Sequence, residues 1–148
     1  MKKAIYLVLM SVFLLFGCKK SNDTNDPSTS GLKVEIKGIS GWGEFVNISV
    51  DQNKTEVKYA AVTSGSPQTA KDKSYKTSEE TFRKLSSYVE TYNLMDAKIQ
   101  ECARCTDGMD YVITIKSKGK ENTVTLAAHR NDGKYADVLS FISNLLGS

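Results

Sequence analysis

The chain has 148 residues, 40% hydrophobic and 25% charged, with a formal net charge of +3. That is enough for one domain, too few for two comfortable ones, and it excludes a disordered chain. Two prolines and ten glycines exclude collagen-like and Pro-rich architectures, and no block of basic residues stands beside interleaved aromatics, which argues against nucleic acid as a partner.

The first element is a leader. Met1-Lys2-Lys3 is followed by an apolar run from Ala4 to Gly17 and then Cys18. The run falls short of the ~20 apolar residues that span a bilayer. Its basic start and its length fit a secretory signal, residues 1–17. The end of the run, Leu15-Phe16-Gly17-Cys18, resembles the lipobox of bacterial lipoproteins, although Phe16 is larger than the residue usual at that place. That resemblance implies acylation of Cys18 and a mature chain that begins there. Removing residues 1–17 takes away Lys2 and Lys3 and no acid, leaving 18 basic against 17 acidic residues. The whole-chain charge therefore says little about partners. Residues 18–31 are polar and aperiodic and read as a flexible tether. Lys19, directly after the cysteine, resembles lipoproteins sorted to the outer membrane, facing the cell surface or the periplasm.

Residues 32–148 then form a single domain. Leu32, Val34 and Ile36 alternate with charged residues as a first half-buried strand, Val46, Ile48 and Val50 as a second, and Val57, Tyr59 and Ala61 as a third. Ser64 to Lys76 contains Gly65 and Pro67 and reads as a long loop. Thr77-Ser78-Glu79-Glu80 has the spacing of a capping box and opens a helix with Phe82, Leu85, Val89 and Tyr92 on one stripe. Leu94 to Met109 is an irregular link. Tyr111, Ile113 and Ile115 form a fourth strand, Ser117 to Lys120 a hairpin turn, and Val124 and Leu126 a fifth strand. A second helix starts at Asn131-Asp132-Gly133, carries Tyr135, Val138, Leu139, Ile142, Leu145 and Leu146, and stops at Gly147. The order βββαββα with alternation in every strand predicts an α+β fold: an antiparallel sheet with one wet face and two helices packed on the other.

Catalytic chemistry is thin. The single histidine, His129, reads as a solvated loop residue, and no hydrolase, zincin or Walker motif occurs. We expect no enzyme activity, no catalytic residue, no metal and no cofactor. Cys102 and Cys105 admit three readings. A redox dithiol would sit at a helix N-terminus, whereas here a turn and a strand follow. A structural zinc needs four ligands, and only His129 could add a third good one. A local disulfide suits an exported chain and is the favoured reading.

Strands drawn as alternating strokes put the Ser40–Glu44 loop, the Ser64–Lys76 loop and the Ser117–Lys120 turn at one end, with the tether and both cysteines at the other. The candidate binding residues are then Ser40, Gly41, Trp42, Gly43 and Glu44, joined by Ser66 and Pro67 of the longest loop. Trp42 either projects toward a partner or folds back over the sheet as core.

Several short motifs resemble the emfourin family, small bacterial proteins that inhibit thermolysin-like zinc metalloproteases. They are Ser40-Gly41-Trp42-Gly43-Glu44, the helix from Phe82 to Leu94, Asp110-Tyr111 leading to Ile115, Gly119, Thr123 to Leu126, and the closing helix from Tyr135 to Leu146. The Ser64–Lys76 loop and the Cys102–Cys105 segment depart from that pattern. A lipidated domain of this kind is also similar to the potempins, surface lipoproteins that guard bacteria from their own secreted proteases. The resemblance implies a monomeric inhibitor of a secreted thermolysin-like metalloprotease, held at the outer membrane by lipid. A glycan- or protein-binding envelope module is the alternative.

Two or more acyl chains anchor stably where one does not. Cys18→Ala should therefore release the protein from the membrane fraction or stop its processing. Cell fractionation with an immunoblot for size checks this, and a membrane-bound variant of mature size would refute it.

Overall fold

In a computed structural model, residues 31–60, 70–128 and 133–147 are described. Residues 1–17, Cys18, the tether through residue 30, Ala61, Ser66, Pro67, His129, Asn131 and Asp132 lie outside them.

Alternation in the sequence becomes two faces in space. Strand β1 (Lys33–Ser40) buries Val34 and Ile36, while Lys33 and Glu35 stay partly wet. Strands β2 (Gly43–Asp51), β3 (Lys54–Tyr59), β5 (Met109–Ser117) and β6 (Lys120–Ala127) follow the same rule. With a sixth strand, β4 (Lys73–Lys76), the strands pair antiparallel throughout, in the order β4-β3-β2-β1-β5-β6. Helices α1 (Glu79–Thr91) and α2 (Ala136–Gly147) cover the apolar face with Leu85, Val89, Val138, Leu139, Phe141, Ile142 and Leu145. Tyr88 and Phe141 meet edge to face at 5.6 Å between the helices. Tyr92 donates to Asp137 at 2.7 Å, and this bond raises the Tyr92 pKa. The expected α+β fold is the observed one.

Three local differences have physical causes. The segment expected as a loop through Lys76 ends in a sixth strand, β4 (Lys73–Lys76), paired with Lys54 to Val57 of β3. It has too few apolar residues to show a period and forms because β3 offers it an open edge. The cap of α1 is Ser78, not Thr77. The Ser78 hydroxyl accepts from the Thr81 amide at 3.1 Å. Thr77 is instead buried, its hydroxyl bonded to that of Thr55 at 2.9 Å inside the core. Glu80 turns outward to Lys84 at 2.9 Å.

The third difference decides what lies together. Because β4 adds one stroke, α1 begins at the same end as the tether, where the Thr77 amide donates to the Asn53 carbonyl. After a Schellman-type stop at Asn93, in which the Leu94 amide reaches the Val89 carbonyl, the chain climbs parallel to β6. The Thr125 amide donates to the Ile99 carbonyl at 2.9 Å, and the Glu101 amide to the Thr125 carbonyl at 3.0 Å. Ser40 faces Met109, while Lys33 faces Lys116. The cysteines therefore sit at the Ser40 end, and the Ser117–Lys120 turn sits at the tether end. Both placements reverse the expectation.

At the Ser40 end, β2 carries one extra residue, since Gly38 faces Val46 but Ile39 faces Glu44. The bulge turns the Phe45 ring over Gly38. A Cβ added at Gly38 would lie 2.5 Å from the Phe45 ring tip and 2.6 Å from Val46 Cγ1. The absent side chain is what makes room for the ring. Overpacking of this kind costs about 2 kcal/mol. Gly38→Ala should lower the urea midpoint accordingly, and adding Phe45→Ala should recover part of the loss. Equilibrium unfolding of the two variants checks this.

Candidate functional site

The turn between β1 and β2 has two residues, Gly41 and Trp42, closed by the facing pair Ser40 and Gly43. The Ser40 hydroxyl accepts from the Trp42 amide at 3.3 Å and donates to the Gly43 carbonyl at 3.3 Å. Gly43 has a φ of 115°, which an L side chain would strain. Trp42 is 94% exposed, so it is a projecting residue and not core. A side chain of that size normally buries most of its surface. Its exposure on a hydrogen-bonded turn is the most informative feature of the molecule.

Among the described residues, the only other exposed large hydrophobic side chain is Met109. It opens β5 directly opposite Ser40, so both stand at one end of the sheet. Below the turn, Glu44 pairs with Lys37 at 3.6 Å across the wet face. On the other face, Phe45 packs at 6.4 Å from Tyr111, whose hydroxyl pKa is raised by burial.

Beside Met109 lies a rigid loop. Cys102 and Cys105 form a disulfide with their Cα atoms 5.5 Å apart. Both cysteines are exposed, and Ala103 between them is buried. A single 3₁₀ turn, Arg104–Thr106, follows, and the amides of Thr106 and Gly108 both donate to the Ala103 carbonyl. The fully buried carboxylate of Asp110 accepts from the Ala103 amide at 2.6 Å and from Arg104 Nε at 2.8 Å. Arg104 stays partly wet, so one side of this ion pair is desolvated and the other is not. Asp110 thus clasps the loop to the start of β5. The Ala128 amide donates to the Met109 carbonyl at 2.8 Å and ties in the end of β6.

Of the expected binding residues, Ser40, Gly41, Trp42, Gly43 and Glu44 lie together on one hairpin, whereas Ser66 and Pro67 fall outside the described residues. Met109 and Asp110 are not among the expected site residues: in the sequence Met109 stands only at the end of the irregular link, and Asp110 only within the Asp110-Tyr111 motif. One signal was available for Asp110: an acid opening an alternating apolar strand just after a Cys-x-x-Cys segment. Among the described residues, no group of three His, Cys, Asp or Glu side chains could hold a metal ion, and no helix is long and apolar enough to cross a membrane. What this end of the molecule can do chemically is bind, through an indole held away from the body on a fixed turn and a thioether beside the hairpin's root. No protein-family model and no curated protein matches the chain.

Two variants separate tip from scaffold. Trp42→Ala should leave the urea midpoint nearly unchanged, because the side chain buries almost nothing. Asp110→Ala should cost about 2 kcal/mol, the scale for leaving the buried Ala103 amide without its acceptor, since the remaining Arg104 charge is partly exposed to water. Denaturant titration of both checks the contrast.

Proposed function

We propose that the protein is a non-catalytic inhibitor that inserts its β1–β2 hairpin tip into the active-site cleft of a secreted thermolysin-like metalloprotease. It acts as a monomer, displayed at the outer membrane through lipid on Cys18. The observation that carries this reading is Trp42, 94% exposed on a two-residue turn whose ends are paired. A cleft-filling inhibitor gains affinity when its inserted segment is already in the bound shape, because less ordering entropy is lost on binding. Interface hot spots favour tryptophan, which fills an apolar pocket from a single anchor point. Met109 supplies a second apolar contact at the root of the hairpin. The sequence resemblance to emfourins around Ser40-Gly41-Trp42-Gly43-Glu44 supports the protease as the partner.

The second reading is an envelope module that binds glycan, favoured by the same indole, whose free face could stack on a sugar ring. The two readings separate in one experiment. The full chain, purified in detergent, is titrated against thermolysin, a second metalloprotease and a serine protease. We expect loss of thermolysin cleavage near a one-to-one ratio. Trp42→Ala should weaken inhibition by roughly 30-fold, the equivalent of about 2 kcal/mol at an interface hot spot. Binding to an oligosaccharide array with no protease inhibited would favour the second reading. Inhibition untouched by Trp42→Ala would remove the tip from the mechanism.

A further inference from the structure

An exposed hairpin that enters a protease cleft is also a potential substrate. Cleavage requires several residues in an extended conformation, with their amide and carbonyl groups free to pair with the enzyme as an added strand. Water then adds across one peptide C–N bond, leaving a carboxylate on one side and an amine on the other. Two peptide bonds are at risk here, Gly41–Trp42 and Trp42–Gly43, because Trp42 is the side chain a pocket would take.

We propose that the Ser40 hydroxyl is the positioning group that keeps this tip from being cut. The inference rests on the reading that the tip engages a protease. One oxygen holds both flanks of Trp42: it accepts from the Trp42 amide and donates to the Gly43 carbonyl, each at 3.3 Å. Those are backbone groups that a protease would have to recruit around the bonds at risk. While Ser40 holds them, the tip presents its indole without presenting an extended backbone. Neither glycine of the turn, Gly41 or Gly43, has a side chain that could replace it, and a Cβ at either would meet no atom within 4 Å.

The hold is effective because the roots of the hairpin cannot retreat. Ser40 and Ile39 are paired on one side with Gly43 and Glu44 and on the other with Met109 and Asp110. On β2, the Phe45 carbonyl accepts from the Ala60 amide at 3.1 Å, and Val46 is paired with Tyr59. Pulling the tip into an extended strand would break ladder bonds on both sides of β1. The hydroxyl therefore has to restrain only two residues, which two hydrogen bonds can do.

The test uses the full chain as wild type, Ser40→Ala and Ser40→Thr, each incubated with thermolysin. Intact-mass spectrometry maps every cut, and inhibition is followed over the same hours. We expect the wild type to stay whole between residues 40 and 44. Ser40→Ala should be cut there at least tenfold faster, with inhibition decaying in step. Ser40→Thr, which keeps a hydroxyl, should resist like the wild type. Mapping separates a cut at the tip from the scattered cuts of an unfolded chain. Equal tip cleavage in wild type and Ser40→Ala would overturn the proposal, and so would fast tip cleavage in Ser40→Thr. If the wild type fails to inhibit thermolysin, the inhibitor reading fails for this protease. The cleavage rates still decide the role of Ser40: faster tip cutting in Ser40→Ala alone supports it, and equal rates refute it.

Discussion

Strand β1 has a partner on each side, and both registers must hold at once. Its left-hand pairing with β2 brings Ser40 against Gly43, and its right-hand pairing with β5 brings the same Ser40 against Met109. A slip of one residue in either ladder would send Val34 and Ile36 to the wet face and pull Glu35 into the core. The apolar side of β1 is therefore what aligns the hairpin tip with the disulfide loop. The bulge in β2 is compatible with this only because Gly38 yields its space to Phe45.

The remaining devices protect that central arrangement. Helix α2 is fastened at its end, where the Leu146 carbonyl accepts from the Tyr59 hydroxyl and from Lys73 Nζ. The buried hydroxyls of Thr55 and Thr77 satisfy each other, which joins β3 to the entry of α1 without leaving a polar atom unpaired. Among the described residues, no buried side-chain nitrogen or oxygen lacks a partner. The edges are managed too. Edge strand β4 has only four residues, two of them lysine, and β6 is covered by the segment that bridges at Gln100. Short, lysine-bearing or covered edges discourage strand addition. The wet face of the sheet is laced with pairs such as Lys33–Glu35 and Lys54–Glu56. Exposed pairs of this kind contribute little to stability and mainly keep the face solvated.

Among the described residues, the large hydrophobic side chains left exposed to solvent stand at one end of the sheet. Trp42 and Met109 stand there on neighbouring backbone, one on a tight turn and one at the root of a strand. The adjoining loop is stiffened twice, covalently by Cys102–Cys105 and electrostatically by Arg104 and Asp110. A disulfide and a buried carboxylate thus fix the loop at the same end of the sheet as Trp42, which suits the proposed inhibitory role.

The amino-acid sequence by itself determined the faces. Period-two alternation in Val34 to Ile36, Val46 to Val50, Tyr111 to Ile115 and Val124 to Leu126 decides which side of each strand is dry, and the stripes on α1 and α2 decide what covers it. That much gives the α+β class, and the close pair of cysteines, three residues apart, points to the local disulfide. Strand β4 was not legible, because Lys73 to Lys76 carry no apolar period and join the sheet along backbone groups that β3 leaves open. The cap at Ser78 was not legible either, since Thr77 offers the same hydroxyl and only the buried Thr55 draws it inward. Tertiary structure alone decided that Trp42 projects from the fold, and that the cysteines share its end while the Ser117–Lys120 turn does not. The physical reason is that side-chain period encodes a face within one element. Which ends meet depends on hydrogen bonds between residues far apart in the chain, and an added strand of four residues is enough to reverse the direction of everything after it.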